Sequence, residues 1–269
     1  MSNRLHNAVV KESFTKQAEA YAVAPAVADP DRIGRFVDAV AANPDSRLLD
    51  VACGPGFLAL AFARRCRETV GIDLTQAPLN IARRNCDRDV LKNVSFLSAN
   101  ADCLPFADET FDVVVSRLAL HHVEDAGNVL REMARVCRPE GTVAVEDLVC
   151  SEHAARAQVQ NQIEQLRDPS HTRALAPSEL LGKLADTGLE TQRLYSTEVL
   201  QQLERWLANS QTPLNSAAQV RKMIETDARE DMSGMRPYKK DGEWFFHHHM
   251  VTAVARKLQR GHSPSRNHH

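Results

Sequence analysis

Three carboxylates, one glycine turn and a histidine pair are the residues of this sequence whose types and spacing could do chemistry. In LLDVACGPGFLAL, Asp50 closes a strand-like run, and the turn Cys53-Gly54-Pro55-Gly56 then opens a helix-like one. Glycine at such a turn lets the chain reverse tightly and lets a ligand come close to the backbone. Asp73 in VGIDLT, followed by Leu74, ends the next strand-like run, where a carboxylate can accept hydrogen bonds from both hydroxyls of a ribose. Asp102 in SANADCLPF follows the third run and can accept from an adenine amino group, with Cys103 and Leu104 offering apolar packing. SRLALHHVED, after the fourth run, brings His121, His122 and Glu124 toward the same crevice.

The turn alone does not choose the ligand. Gly54, Gly56 and Ala59 satisfy the dinucleotide fingerprint G-x-G-x-x-A. Asp50 argues against a pyrophosphate there, because like charges repel strongly where water is scarce. A cationic ligand is favoured instead, and S-adenosylmethionine carries a sulfonium and an ammonium with no phosphate. An acid at Asp73 suits either ligand, whereas an acid at Asp102 has no standard place in a dinucleotide site.

These residues need elements to position them. Short apolar runs read as strands: RLLDVA (47–52), ETVGID (68–73), VSFLSA (94–99), FDVVVS (111–116) and TVAVEDL (142–148). FLALAFARR, PLNIARRNC and AGNVLREMARVC, between them, have helical periodicity. Strand and helix in alternation imply βαβ units around a parallel sheet buried on both faces. Upstream, FTKQAEAYAVAP reads as a helix that Pro25 and Pro30 interrupt, and DRIGRFVDAVAA as a second, amphipathic one. Downstream, 152–168 and 177–188 read as helices, LETQRLYST as a strand, 200–230 as helix broken at Thr212-Pro213, and 244–256 as a last strand. Ligands of open α/β sheets sit beyond the carboxyl ends of the strands, which is where all three aspartates fall.

Composition narrows the function classes. Over 269 residues, 33 Lys and Arg stand against 35 Asp and Glu, with 43% hydrophobic and 25% charged residues. That is globular, and it lacks the basic surplus of a nucleic-acid binder. No apolar run approaches the ~20 residues of a spanning helix, and the first residues lack a signal-peptide core. Six cysteines without CxxC spacing suggest free thiols in a reducing cytoplasm and no zinc site.

LLDVACGPG, GIDLT, NADCLPFADETFDVVVSRLALHHVED and LREMARVCRPEGTVAVED together resemble the class I S-adenosylmethionine-dependent methyltransferases. More narrowly, they resemble the branch that includes the ubiquinone/menaquinone-biosynthesis methyltransferases. The likeness covers about residues 12–150 strongly and extends weakly through the last strand. It implies an α/β, Rossmann-like, doubly wound and mostly parallel seven-stranded sheet, with an antiparallel last strand and a helical lid. It also implies S-adenosyl-L-methionine as cofactor, a small-molecule methyl acceptor, and no nucleic-acid or membrane partner. The oligomer, monomer or homodimer, stays open. The cofactor-binding set implied is Tyr21, Asp50, Ala52, Gly54, Gly56, Asp73, Leu74, Asp102, Cys103, Ser116 and Leu118. Ala52 stands where the family's first loop glycine usually lies, and its methyl is tolerable if the backbone there is still extended. Glu146-Asp147-Leu148 is the stretch that usually faces the substrate.

Plainer readings stand beside these. Tyr21 is equally a core residue of an amphipathic helix, and Asp102 a turn or cap residue. His121 is either a general base or a structural histidine bonding backbone, and His122 reads as a surface residue. On a strand, His247 and His249 share one face and His248 the other, so a metal site is not expected. DPSHTR (168–173) has no assigned role. Two other function classes stay in play: an NAD-type oxidoreductase, on the G-x-G-x-x-A match, and a catalytically silent cofactor-binding module. The expected division is a helical cap (1–46), a core (47–196 and 244–258), a helical lid (197–243) and a disordered tail (259–269).

Overall fold

The computed structural model describes residues 2–259, so the expected tail (259–269) lies, beyond its first residue, outside the described residues. Five parallel strands are built from the apolar runs: β1 (Arg47–Val51), β2 (Glu68–Asp73), β3 (Val94–Ser98), β4 (Phe111–Arg117) and β5 (Cys137–Val149). β6 (Leu189–Gln202) forms the far edge, and β8 (Glu243–Lys257) runs antiparallel between β5 and β6. The order is β3-β2-β1-β4-β5-β8-β6. β7 (Tyr238–Lys240), an eighth strand that periodicity did not suggest, pairs with the start of β8. Three residues are too few to show a pattern.

Both sheet faces are covered, as continuous apolar strands require. Leu49, Val51, Ile72 and Val114 point into one core with α6 (Ala126–Val136) and α8 (Pro177–Asp186). Leu48, Val113 and Val115 point into the other with α3 (Pro30–Val40) and α4 (Phe57–Ala63). Two further helices precede α3, namely α1 (Ser2–Ala22) and the single turn α2 (Pro25–Ala28). α5 (Gln76–Asp89) packs against α1, with Ala18 and Ala22 on Ile81.

The expected division differs from the structure at three points. α3 belongs to the sheet core rather than to a separate cap, because Ile33, Phe36, Val37 and Val40 form one stripe that the sheet buries. Residues 197–202 are strand, since pairing with His247–Met250 and Phe245–Phe246 extends β6 past the helical-looking sequence. The lid therefore starts at α9 (Leu203–Asn209) and α10 (Leu214–Glu230). α7 (Ala154–Arg167), expected in the core, joins that lid: Ile163 is buried with Trp206, Leu207, Val220 and Phe246.

Register sets the site. Val51 stands beside both Ile72 and Ser116, and Asp73 beside Ser98. The carboxyl ends of β1 to β4 thus finish on one edge, where the strand order reverses, with β2 on one side of β1 and β4 on the other.

Candidate functional site

Two cavities meet at this edge, each about 700 Å³ of open space with the mouth included. The first lies under α1 and is walled by Ala52, Gly54, Asp73, Leu74, Asp102 and Leu118. A smaller recess continues it past Asp50, Cys53 and Arg117. The second lies between the sheet and the lid, walled by His121, Leu148, Glu164, Arg167, Trp206 and Met250. Phe14, Tyr21, Leu118 and His122 belong to both and form the partition.

The glycine turn is left-handed at Ala52 (φ 57°), Gly54 (φ 51°) and Gly56 (φ 79°). The backbone is therefore not extended at Ala52, and its methyl costs about 1–2 kcal/mol there. Within the turn the Gly54 N–H donates to Asp73 Oδ2 at 2.9 Å, and the Thr75 N–H donates to Oδ1 at 2.8 Å. Burial pushes the Asp73 carboxyl up to about 6, with those amides opposing it. Asp50 is 1% exposed, and its Oδ2 has no hydrogen-bond partner. Burial pushes this carboxyl up to about 8 against the pull of the Ala59 amide and Arg117. A buried carboxylate oxygen left without a donor fits a cationic group at the recess and repels a pyrophosphate. The donor set therefore suits a positively charged nucleoside such as S-adenosylmethionine.

Tyr21 lines both cavities and the recess, packs edge-on against Phe14, and has its phenol pushed up by burial. Three residues of the expected cofactor set stay away from the cavities. A Cβ on Gly56 would meet Ala82 Cβ at 2.7 Å and Phe96 at 3.0 Å, so this glycine serves helix–strand packing. The Ser116 hydroxyl is buried and donates to the Val51 carbonyl at 2.9 Å. Cys103 is exposed, because the chain turns outward after Asp102 and buries Leu104 in the sheet core instead.

In the second cavity His121 Nδ1 donates to Asp147 Oδ1 in a short bond. Asp147 also accepts from the Leu120 amide and, at 2.7 Å, from the Leu148 amide. Burial works against charge on His121, but Asp147 outweighs it and raises the imidazole. Burial likewise opposes the Asp147 carboxylate, and His121 with the amides holds it low. His121 also walls the cavity, so the pair has the arrangement of an oriented base. His122 is buried, not on the surface, because α1 covers it: its ring stacks edge-on against Phe14, and Nδ1 lies 3.1 Å from the Ser170 carbonyl. Burial and the charge of His121 push it down to about 4.

DPSHTR acquires a place here. The Thr172 and Arg173 amides donate to the His121 carbonyl at 2.8 and 3.2 Å, and Asp168 accepts from the Ser170 amide and hydroxyl. Gln17 of α1 donates to the other Asp168 oxygen at 3.2 Å, tying α1 to this loop. Glu164 stands 2.7 Å from His248 and 3.6 Å from Arg167, and Arg167 stacks over Trp206. Burial opposes the Glu164 charge, but His248 and Arg167 hold the carboxyl down to about 2. Sequence reasoning passed over Glu164, Arg167 and Trp206. The Glu-x-x-Arg spacing leading into DPSHTR was the signal at hand. Glu146, expected toward the substrate, is instead held by Arg32, Arg117 and Thr252. Among the described residues no three His, Cys, Asp or Glu side chains converge as a metal would need, and no helix is long and apolar enough to cross a membrane.

Comparison with known proteins adds to this geometry. A methyltransferase domain model matches residues 49–145. The uncharacterized methyltransferase YcgJ of Bacillus subtilis is 30% identical over 207 residues, covering 77% of this chain and 82% of that protein. Its crystal structure is similar with a TM-score of 0.81 at 25% identity, over 85% of this chain and 99% of that one. The demethylmenaquinone methyltransferase of Bacillus cereus is 39% identical over 104 residues, 38% of this chain and 44% of that protein.

Proposed function

The chain belongs to the class I S-adenosylmethionine-dependent methyltransferases, and on that premise we propose that it methylates a small molecule held in the cavity beside His121. The observation that carries the reading is the buried, unpartnered Asp50 oxygen at the glycine turn. The NAD-type reading falls with the family membership and with that carboxylate. When bound, S-adenosylmethionine supplies a methyl group on a sulfonium, already activated by its positive charge.

The residues of this chain then have distinct tasks. Asp50 meets the cationic end of the cofactor, Asp73 the ribose, and Asp102 the adenine, with Leu74 and Leu118 as apolar walls. Phe14, Tyr21 and the α1 backbone close the cavity from water, which favours aligned displacement. His121 Nε2 takes the proton from the acceptor as its nucleophile engages the methyl carbon. Asp147 keeps the imidazole in the tautomer with Nδ1 protonated and offsets the charge that forms. Arg167 and Glu164 orient polar groups of the acceptor, while Trp206, Met250 and Leu148 pack its apolar body.

The motifs shared with the quinone-biosynthesis enzymes support placing the chain near that branch, with a quinone-precursor ring as the acceptor that resemblance offers. Unpaired thiols, four of the six buried, suit a reducing cytoplasm. Titration calorimetry with S-adenosylmethionine tests the cofactor reading: micromolar-range binding is expected, lost in Asp73→Ala, and no detectable binding refutes it. Transfer of a labelled methyl from the cofactor to a small-molecule extract separates an enzyme from a silent module. Binding without transfer to any component refutes the catalytic half.

A further inference from the structure

A third hollow lies on the same sheet face as the acceptor cavity, between α3 and strands β5, β8 and β6, with about 810 Å³ of open space, mouth included. Its floor is one cross-strand row, Glu146, Thr252 and Tyr195. In the next row along the face, Leu148 and Met250 belong to the acceptor cavity. Alternate residues on a strand are about 7 Å apart, so the two spaces are neighbours. The proposed reaction uses nothing in this hollow.

Its charge is unbalanced. Arg32 Nη2 and Arg117 Nε reach the same Glu146 oxygen at 3.3 and 2.8 Å, and all three side chains are almost wholly buried. Thr252 donates to the other Glu146 oxygen at 2.9 Å. One carboxylate facing two guanidiniums leaves a buried positive excess, a costly arrangement without a further anion. Arg32 is 6% exposed, and its Nε has no hydrogen-bond partner; the Thr197 hydroxyl at the same wall is likewise without one. Arg35 adds a third guanidinium, at the exposed rim. Asp38, an exposed acid that also lines the hollow, is engaged by Arg65 at 2.5 Å. Arg117 also shares the recess beside the glycine turn with Asp50, and neither residue lines the hollow. The remaining walls are apolar: Phe36, Ala39 and the ring of Tyr195.

We propose that this hollow is a second small-molecule site, for a carboxylate carried on an aromatic or apolar body. The carboxylate meets Arg32, Arg35 and Thr197, and the body lies against Phe36 and Tyr195. The site is placed to act on the acceptor cavity. Arg117 donates to the carbonyls of Ala26 at 2.6 Å and Val27 at 3.1 Å, and both residues wall that cavity. An anion on Arg32 frees Glu146 to hold Arg117 alone, which stiffens this wall.

Benzoate is the probe, titrated into the uniformly ¹⁵N-labelled full chain without cofactor and followed by amide NMR, with inorganic phosphate in parallel. Saturable shifts are expected at the amides of Arg32, Arg35, Tyr195 and Thr197, with a Kd of about 0.1–1 mM, as suits so small a ligand. Arg35→Ala, an exposed change that leaves the buried trio intact, is expected to weaken binding about fivefold or more, the scale of one charge-assisted contact. Thr197→Val should weaken it by a smaller factor. Shifts centred on the Trp206 indole and His121 would overturn the proposal by placing benzoate in the acceptor cavity. So would the absence of saturation at these amides, or phosphate binding there as tightly as benzoate. The titration contains no S-adenosylmethionine, so its failure leaves the methyltransferase reading untouched, and the reverse also holds.

Discussion

Replacing Asp50 with asparagine removes a charge that the folded chain resists and that the proposed cofactor contact needs, so stability and binding should move in opposite directions. The carboxyl titrates near its ordinary 3.8 when unfolded and is held protonated up to about 8 when folded. Between those values the folded chain keeps a proton that the unfolded chain has lost. Stability therefore falls as pH rises from about 4 to about 8, and the penalty is fully present above 8. At pH 7 the linkage amounts to at most about 4 kcal/mol, an order-of-magnitude figure for a group 1% exposed. Asparagine keeps the shape and carries no charge, so Asp50→Asn should be more stable than the parent by about 1–4 kcal/mol at pH 8, the gap closing toward pH 4. Removing one partner of a buried charge pair typically costs about 3–5 kcal/mol, so S-adenosylmethionine affinity should fall by about 100-fold or more. In the parent, binding at pH 7 should also release close to one proton, read by calorimetry in buffers of different ionisation enthalpy. Urea unfolding of both proteins at pH 5 and 8, beside cofactor titrations, provides the data. A variant that is no more stable at pH 8 and still binds cofactor like the parent refutes the role given to Asp50.

Two other substitutions address the remaining machinery. In Asp147→Asn the imidazole of His121 loses the carboxylate that raises it, so the rise of kcat/KM with pH should move to lower pH. Its plateau should drop about 10²-fold or more while cofactor Kd is unchanged; an unmoved profile places the dyad outside catalysis. Gly56→Ala puts a Cβ 2.7 Å from Ala82 Cβ at a φ of 79°, and should cost about 2–4 kcal/mol in denaturant unfolding; a loss below about 1 kcal/mol removes the packing role.

The frame of the cavity under α1 was legible because its signals are local. Asp50 and Asp73 end apolar runs long enough to read as buried parallel strands, and Gly54 follows at a fixed offset. A position that depends on how such pieces meet was not legible. Ala52 reads as the end of a strand, yet its amino-acid type says nothing of φ, and the turn places it in the left-handed region. Ser116 lies one residue before the end of β4 at the site edge, but the pleat turns its hydroxyl onto the Val51 carbonyl. His122 is as polar as any surface histidine until α1 lays Phe14 across it.

The division follows from the range of the forces involved. Hydrophobic period and the positions of the three aspartates by themselves determined the parallel strands, their two buried faces and the edge where the strands' carboxyl ends lie, because each depends on residues a few positions apart. The cavity between the sheet and the lid was decided only by tertiary structure. Asp147 reaches His121, Glu164 reaches His248, and Gln17 reaches Asp168 from separations of 26, 84 and 151 residues along the chain. The identity of such pairs depends on which helix covers which strand. Burial then turns ordinary side chains into an oriented base, a held carboxylate and an unpartnered acid, through the loss of water that no single segment can bring about.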